Sequence, residues 1–482
     1  MLHTAGFDNN NTSFFYSRRS QKPTLKDFLF RQELVQAIEP QKVVDYTNTA
    51  FDIAGYIIEQ VSGQRFEDYC RENIFLPLGM KSTSFDEPAS FVEGRDSKGE
   101  VVENYYVGGR PSGGLVSTSK DMSRFMECLM QSGSLDGTQV FSPKLMDMIF
   151  EKRLDMDPNM SIKKTPVFWM DKFGDVKSYA QMGKILGFSS HLIIIPGEVA
   201  LFCASADESS GQHIAWSLAK TFFVEKYKTA SVEMTLDDDK DPKPESKLDK
   251  PWLYTGRWIN MFAWNRNNVA KIANAVAYNL NLTTQDGKLY IDDVQMEKVD
   301  DLTFRNGDWY VKFMRGEDGE IKYLQTGQDA HVKASWYMDS RVIITYAFLT
   351  FGIFLLTLLQ FVFGVLMRRW GKEKSTKPEQ LFRWSVFCIS MFNIGFASVF
   401  AVILLKTDIY RLGFKPGWIW YVIFSLPLLA TLLTPISIYS LIKSWKSEAF
   451  KTSAKINAIL FIIAQSAFVI FLAFWNLLGF NF

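Results

Sequence analysis

Four stretches in the last third of the chain contain no charged residue. They cover residues 342–367, 384–405, 418–442 and 456–482. About 20 helical residues cross the hydrocarbon core of a bilayer, so each stretch is long enough to span it. The pattern predicts four transmembrane helices. Tryptophans, which prefer the headgroup level, lie near the ends of these stretches at Trp370, Trp384, Trp418 and Trp445, and prolines that would bend the third helix are Pro427 and Pro435.

Residues 253–336 show a period of two instead of long apolar runs. Short alternating segments are separated by Asx-Gly pairs at 286–287, 306–307 and 318–319. Such pairs favour two-residue hairpin turns, so the segment predicts a small antiparallel β domain, a barrel or a sandwich. Residues 234–252 before it mix acidic and basic residues with three prolines and no apolar period, which is typical of a linker.

A helical period begins near the N-terminus. Apolar residues recur every three or four positions over 49–61, and Ser62-Gly63 ends the run. A second helix is expected from Phe66. Taken alone, Tyr46-x-Asn48 would be a tyrosine ahead of a helix whose N-cap is Asn48.

The net charge of +1 combines two chemically different halves. Residues 341–482 carry 14 Lys and Arg against four Asp and Glu, so they hold +10 and residues 1–340 hold −9. The first and third loops between the apolar stretches contain ten basic residues and the second loop three. Because basic loops are retained in the cytoplasm, residues 1–340 are predicted to be extracytoplasmic. Without an exposed basic face, nucleic acid is not expected as a partner.

Cysteine and histidine positions favour neither disulfides nor metal binding. One of the four cysteines falls in an apolar stretch and the others have no paired spacing, so buried thiols are expected. The four histidines lack metal-ligand spacing, and the acidic run 237–239 lacks the glycine turn of a calcium loop. We therefore expect no metal and no cofactor. The cysteines are Cys70, Cys128, Cys203 and Cys388.

Six short motifs follow one another in the N-terminal part. They are HTAGF at 3–7, YTN at 46–48, GYIIEQVSG at 55–63, PLGMKSTSF at 77–85, GGLVSTSKDMSRF at 113–125 and GFSS at 187–190. In this order they resemble the serine β-lactamase and penicillin-binding-protein family, in its class C and esterase-related branch, over roughly residues 1–230. Residues 253–336 look like the small β-barrel domain often appended to such hydrolases.

The resemblance implies an α+β fold and a set of site residues. It implies a β-lactamase/transpeptidase-like domain at 1–233, a linker at 234–252, a small β-barrel domain at 253–336 and a four-helix membrane region at 341–482. Family chemistry uses a Ser-x-x-Lys nucleophile, a Tyr-x-Asn and a Lys- or His-x-Gly. The catalytic residues would be Tyr46, as general base or proton relay, and Asn48, which would hold the substrate amide or the lysine. Substrate binding would fall to Gln181 and Gly183.

Two features depart from the family pattern. Gln181 replaces the usual cation or imidazole and adds no charge, which favours a neutral ester or a peptide over a carboxylate-bearing penicillin. The family places its Ser-x-x-Lys before HTAGF, so we expect the fold to be N-terminally incomplete here and the chain to be inactive in this form. Strands near 189–195 and 199–204 would then keep an open edge. The Ser-x-x-Lys matches within the chain are as frequent as chance predicts and fall at Ser117/Lys120, Ser161/Lys164, Ser217/Lys220 and Ser440/Lys443.

Two functional hypotheses remain open. The first is a multi-pass serine hydrolase of the bacterial cell envelope, of the esterase or D-amino-acyl peptidase type, that acts on a small ester, a β-lactam or a cell-wall peptide. The second is an inactive pseudoenzyme that binds cell-wall peptides or a membrane partner. The helices are interpreted as an anchor in the lipid bilayer, since uncharged spans give transport little support. The oligomeric state stays open.

Overall fold

A computed structural model of the chain forms two compact units. The first comprises Met1–Phe262 with Leu280–Lys333, and the second comprises Ala263–Asn279 with Ala334–Phe482. The structure describes residues 2–8, 14–16, 18–32, 34–86, 92–103, 105–151, 154–155, 163–173, 176–208, 210–227, 248, 250–261, 269–277, 279–307, 309–316, 318–370, 376–406, 418–446 and 452–480.

The described part of the first unit contains seven α-helices. They are α1 (Leu25–Arg31), α2 (Thr49–Ser62), α3 (Phe66–Cys70), α4 (Arg110–Gly113), α5 (Ser119–Met130), α6 (Pro143–Phe150) and α7 (Ser210–Tyr227). Of these, α5, α6 and α7 pack against its larger sheet. The predicted helix at 49–61 is present as α2, and it ends because Gly63 adopts φ +70°, a left-handed conformation that glycine reaches without strain. Hydroxyl caps start other helices: Thr118 accepts the Asp121 N–H at 3.2 Å to begin α5.

Six antiparallel strands form the main sheet, in the order β10-β9-β8-β7-β6-β5, with β10 outermost. One sheet face packs Tyr179 and Ile194 against Met126 and Met146 of α5 and α6. The opposite face packs Ala180 and residues of β9 against α7. The strands are β5 (Leu154–Asp155), β6 (Lys163–Lys164), β7 (Trp169–Phe173), β8 (Val176–Ile185), β9 (Phe188–Ile195) and β10 (Val199–Ser205); two small ribbons pair β1 (Phe15–Tyr16) with β2 (Tyr106–Val107) and β3 (Ser134–Leu135) with β4 (Thr138–Gln139).

The predicted β domain is a closed eight-stranded antiparallel barrel. Its strands are β11 (Gly256–Asn260), β12 (Asn279–Gln285), β13 (Lys288–Ile291), β14 (Val294–Lys298), β15 (Thr303–Asn306), β16 (Trp309–Arg315), β17 (Ile321–Thr326) and β18 (Asp329–Lys333). The expected turn lies at Asp286 and Gly287, both with positive φ. Inward-facing side chains such as Trp258 and Phe313 fill the interior. Leu248 packs into the same core, so the end of the predicted linker is part of the barrel, while 234–247 lies outside the described residues.

The second unit contains the four predicted apolar helices. They are α9 (Ser340–Trp370), α10 (Lys377–Lys406), α11 (Trp418–Ser444) and α12 (Thr452–Phe474), all long and apolar enough to cross a membrane. The last helix ends at Phe474 instead of 482, and Trp475 and Leu477 pack beyond its end. Helix α11 continues through Pro427 and Pro435. The basic loops at 371–375, 407–417 and 447–451 lie outside the described residues, so the orientation stays a prediction.

A short helix from within the barrel sequence also belongs to this second unit. Helix α8 (Ala270–Ala277) follows β11, and Lys271 Nζ donates to the Phe474 carbonyl at 2.7 Å and lies 4.0 Å from the Phe474 ring centroid. The structure thus groups residues 263–279 with the apolar helices, inside the range 253–336 that the pattern assigns to the β domain.

Candidate functional site

Tyr46 and Asn48 meet directly. The Tyr46 hydroxyl donates to Asn48 Oδ1 at 3.1 Å, just before α2 begins. Asn48 occupies the N-cap position, but its backbone is helical (φ −71°, ψ −36°) and its side chain makes no capping hydrogen bond. Asn48 is thus the N-cap residue that the sequence predicts, but its amide oxygen accepts from the Tyr46 phenol instead of a backbone N–H. The roles of the two residues in catalysis stay a prediction.

His3 holds the motif from its other side. Its Nδ1 accepts the Thr47 N–H at 3.2 Å, and its ring centroid lies 4.6 Å from that of Tyr46. The imidazole also stacks on Trp169 of β7 at 5.7 Å. Burial lowers the pKa of His3 to about 3, with a further contribution from Lys164, so the ring is neutral and its proton resides on Nε2. The sequence indicates a packing role for His3, and the structure adds a hydrogen bond to the motif backbone.

A buried lysine lies next to Trp169, whose ring stacks on His3. Lys164 is fully buried on β6, and its Nζ lies 4.2 Å from the Trp169 ring centroid. Within the described part of the chain Nζ has no hydrogen-bond partner. Burial lowers the pKa of Lys164 to about 8, which makes the amine easier to deprotonate than an exposed lysine. Its Ser-x-x-Lys partner, Ser161, lies outside the described residues.

Asp52 connects the motif helix to the segment before GGLVSTSKDMSRF. Its carboxylate accepts the Ser112 N–H at 3.1 Å and the Ser112 hydroxyl at 3.0 Å. Burial nevertheless raises the pKa of Asp52 to about 7. Burial also raises the pKa of the Tyr46 phenol, and the charge of Asp52 adds to that effect. A Cβ on Gly109 would lie 2.7 Å from Asp52 Oδ2, so this close approach requires glycine.

Gln181 and Gly183 lie on β8. Gln181 pairs with Leu192 and therefore faces α5 and α6, and its Oε1 is buried with no hydrogen-bond partner among the described residues. A Cβ on Gly183 would lie 2.6 Å from Ser190 Oγ, which leaves no room for a side chain. The grouping of these two residues with Tyr46 in one cleft stays a prediction.

In the other Ser-x-x-Lys matches the serine forms a local hydrogen bond or is exposed on a helix. Ser117 Oγ lies 2.7 Å from Thr83 Oγ1, next to the cap of α5, while Lys120 is exposed. Ser440 donates to a carbonyl of its own helix at 2.8 Å, and Ser217 is exposed on α7. All four cysteines are free thiols. The described residues contain no cluster of three or more His, Cys, Asp or Glu that could hold a metal.

Residues 1–213 match the Beta-lactamase family model. The N-terminal part of this chain is β-lactamase-like. Among curated proteins it is 22% identical over 266 residues to "Unguisins hydrolase ungD'" of Aspergillus campestris, covering 52% of this chain and 47% of that protein. It is 27% identical over 177 residues to penicillin-binding protein 4 of Amycolatopsis lactamdurans, covering 34% and 46%. The chain thus spans about half of each of these relatives, which come from a fungus and a bacterium.

Solved structures are also similar to this chain. The crystal structure of SurE has 17% identity and a TM-score of 0.49, covering 69% of this chain and 77% of that one. D-amino acid amidase from Ochrobactrum anthropi SV3, complexed with D-phenylalanine, has 22% identity and a TM-score of 0.35, covering 42% and 63%. The fold is β-lactamase/transpeptidase-like, with an eight-stranded barrel and four long apolar helices.

Proposed function

We propose that this chain is part of a membrane-anchored serine hydrolase of the β-lactamase-related type, with residues 1–340 outside a bacterial membrane. The observation that carries the proposal is the hydrogen bond from the Tyr46 phenol to Asn48 within the β-lactamase-like region. Tyr46 acts as general base or relay for a serine nucleophile, and Asn48 orients the phenol and the substrate amide. His3 and Asp52 keep the two residues in place.

The phenol needs a nearby cation to lose its proton. Burial and Asp52 both raise the pKa of Tyr46, so the protonated form dominates at neutral pH. In the proposed mechanism a Ser-x-x-Lys ammonium supplies that positive charge, and the Tyr46 phenolate takes the proton of the serine. We assign the nucleophile to none of Ser117, Ser161, Ser217 and Ser440, and therefore expect no reaction of these serines with serine-directed probes.

The proposed substrate is a neutral ester or a D-amino-acyl peptide. Gln181 offers amide hydrogen bonds and no positive charge where the family has a cation or imidazole, so a substrate carboxylate gains little there. An amide at this position can accept from an N–H and donate to a carbonyl of a peptide.

Two measurements test the proposal. Incubation of the chain with a fluorescent penicillin or a fluorophosphonate is expected to give no covalent label, and stoichiometric labelling of Ser117, Ser161 or Ser217 would contradict it. In a form that carries a Ser-x-x-Lys before His3, Tyr46→Phe is expected to lower ester or D-amino-acyl peptide hydrolysis by roughly 10²-fold or more, because only the hydroxyl is lost. Tyr69→Phe is the matched control, and unchanged turnover in Tyr46→Phe would remove Tyr46 from the mechanism.

The replacement of a cation or imidazole by Gln181 also favours a second candidate, a pseudoenzyme that binds cell-wall peptides. An acyl-D-alanyl-D-alanine peptide would then bind the chain without turnover, and Gln181→Leu would weaken that binding about tenfold, the usual effect of one lost hydrogen bond in a buried site. Isothermal titration of the peptide into the unsubstituted chain and into Gln181→Leu distinguishes the two candidates. Hydrolysis of the peptide would refute the pseudoenzyme.

A further inference from the structure

The last hairpin of the barrel, β17–β18, forms hydrogen bonds with the chain just before Tyr46. Gln325 on β17 is fully buried, and its side chain pairs with both backbone groups of Val44. Its Oε1 accepts the Val44 N–H at 3.1 Å and its Nε2 donates to the Val44 carbonyl at 2.8 Å. One carboxamide thus forms the two hydrogen bonds that a neighbouring strand would form. The two residues are 281 positions apart in sequence.

The same amide also stabilises its own hairpin. Nε2 lies within hydrogen-bond distance of the Gly327 and Asp329 carbonyls, at 2.9 and 3.0 Å. Gly327 lies in the turn between β17 and β18, and Asp329 is the first residue of β18. Gln325 therefore links the shape of the hairpin tip to the position of Val44, because any change in one alters the hydrogen bonds of the other.

Contacts on both sides continue along the next three residues. The Tyr46 N–H donates to the Gln328 carbonyl at 3.2 Å, and Asp45 Oδ1 accepts the Ala330 N–H at 3.4 Å. From the opposite side the Asp45 N–H donates to the His3 carbonyl at 2.8 Å. His3 also receives the Thr47 N–H. Each backbone N–H from 44 to 47 is therefore bound either by the barrel hairpin or by His3.

The arrangement concerns the candidate site more than the general packing of the barrel. Gln325 follows the core residue Leu324 on β17, so its side chain lies on the outer face of the barrel, and a buried amide there costs free energy unless it is paired. The partners of Gln325 outside the barrel lie two residues from Tyr46, whose hydroxyl must meet Asn48. A shift of about 1 Å in a catalytic group is enough to impair a reaction.

We propose that the β17–β18 hairpin is a positioning element of the candidate site, with Gln325 as the positioning residue for Tyr46. The link to catalysis rests on the proposed function, whereas the hydrogen bonds that hold residues 44–47 do not depend on it. The barrel is then a working part of the hydrolase-like region instead of an independent module. Gln325 acts through the backbone of Val44 and Tyr46 and touches no substrate.

The test measures amide hydrogen exchange by mass spectrometry on the whole chain in detergent. Gln325→Met keeps the side-chain length and removes both hydrogen bonds to Val44. We expect exchange in peptides covering 43–48 to become at least about tenfold faster, while β8, β9 and β13 stay protected, because each lost hydrogen bond contributes about 1 kcal/mol. Gln285→Met, at the exposed end of β12, is the matched control and should change nothing at 43–48.

Two further variants guard against simple misfolding. Gln325→Glu keeps an acceptor for the Val44 N–H, and its protonated carboxyl can donate to one of the carbonyls that face Nε2, so at low pH it should restore part of the protection at 43–48 relative to Gln325→Met at the same pH. The Tyr46 phenol supplies a spectroscopic readout. Opening of the segment should lower the pKa of Tyr46 toward its ordinary value. The contribution of Tyr46 is the difference between titrations of Gln325→Met with and without Tyr46→Phe. Unchanged exchange at 43–48, or an equal rise throughout the barrel with no rescue by Glu, would overturn the proposal.

Hydrolysis separates the two proposals. In a form that turns over substrate, Gln325→Met should lower kcat with little change in KM, as expected when a catalytic group is misplaced and substrate binding is retained. If no form hydrolyses any substrate, the proposed function fails while the exchange experiment still decides the hairpin contact. If hydrolysis occurs and Gln325→Met leaves kcat unchanged, the positioning role fails and the proposed function stands.

Discussion

Both units of this protein contain a fully buried glutamine that connects separate elements, yet the two residues choose opposite partners. Gln325 in the first unit binds backbone groups of Val44 and of its own turn. Among the described residues, the partners of Gln465 on α12 are side chains: it accepts from Asn393 Nδ2 at 2.7 Å and donates to Thr434 Oγ1 at 3.1 Å. Three of the four apolar helices are thereby joined through α10, α11 and α12.

The difference follows from whether the backbone N–H and carbonyl groups near each glutamine are already paired. In a helix crossing lipid every backbone N–H and carbonyl is already paired within the helix. Hydroxyls such as that of Ser440 bond back to their own helix, whereas an amide that reaches a neighbouring helix meets side chains there. The loop before Tyr46 has no such internal pairing, and its buried N–H and carbonyl need an outside partner. Side-chain partners can be replaced together by mutation, whereas backbone partners cannot. This contrast predicts how the two regions respond to substitution.

The largest effect is expected for Gln325→Met. The substitution leaves the Val44 N–H and carbonyl buried without partners, which should lower the free energy of unfolding of the first unit by about 2–4 kcal/mol. Chemical denaturation in detergent, followed by proteolysis, measures the loss. The control Gln285→Met should stay within about 0.5 kcal/mol of the parent. A loss below about 1 kcal/mol for Gln325→Met would mean that the loop finds other partners.

A smaller and reversible effect is expected for Gln465→Leu. It strands the Asn393 amide between helices and should destabilise the bundle by about 1 kcal/mol, within the range measured for such hydrogen bonds in membranes. Adding Asn393→Leu should recover most of the loss, because the second change removes the unpaired group. Unfolding of the bundle in mixed detergent tests this pair. If the variant with both Gln465→Leu and Asn393→Leu lost as much stability as the two single variants together, the contrast between Gln465 and Gln325 would be wrong.

The pH response of the first unit should depend on Asp45. Burial raises the pKa of its carboxyl well above the ordinary value, and Asp329 and Asp8 add to the shift. A carboxyl that binds its proton more tightly when folded makes the free energy of unfolding fall as pH rises above about 4, through the raised pKa. Asp45→Asn keeps an acceptor for the Ala330 N–H and should flatten that fall and stabilise the unit at pH 7.

Unfolding curves at pH 4 to 8 check the Asp45 prediction. The matched control is Asp318→Asn in the exposed β16–β17 turn, where the hydrogen bond with Lys322 lowers the pKa of the carboxyl. An Asp45→Asn curve parallel to that of the parent would show that Asp45 gains no proton on folding.

The smallest effect concerns the phenol itself. The charge of Asp52 contributes to the raised pKa of Tyr46, so Asp52→Asn should lower that pKa, while burial keeps it above the ordinary value. Spectrophotometric titration, with Tyr46→Phe subtracted, measures the change. A rise in the pKa instead would mean that Asp52 stabilises the phenolate, contrary to the sign assigned here.

Local patterns predicted much of the architecture. Uncharged runs longer than about 20 residues have one common solution, and all four form helices, although the last ends at Phe474 because Trp475 and Leu477 pack in beyond it. The Asx-Gly pairs predicted the β domain, whose closure depends on pairing between β11 and β18, far apart in sequence. Helix α8 was missed, since an eight-residue helix between two strands has too short a period to read.

The candidate site divides in the same way. The spacing of Tyr46 and Asn48 is local, and the structure joins them by a hydrogen bond. Asp52 was hidden in an apolar helical period and Lys164 in a chance-level motif, because their burial depends on distant neighbours. Only the order of six motifs indicated that these stretches belong to one fold.

Sequence alone determined the division into an acidic N-terminal part and a basic, apolar C-terminal part, the four long helices and the Tyr46-x-Asn48 motif, because charge, length and near-neighbour spacing are local quantities. Tertiary structure alone decided that the Asn48 amide binds the phenol instead of capping α2, that His3 and Asp52 flank the motif, and that Gln325 holds its backbone. Those contacts depend on residues up to 281 positions apart, and burial sets their strength only once the chain has folded around them.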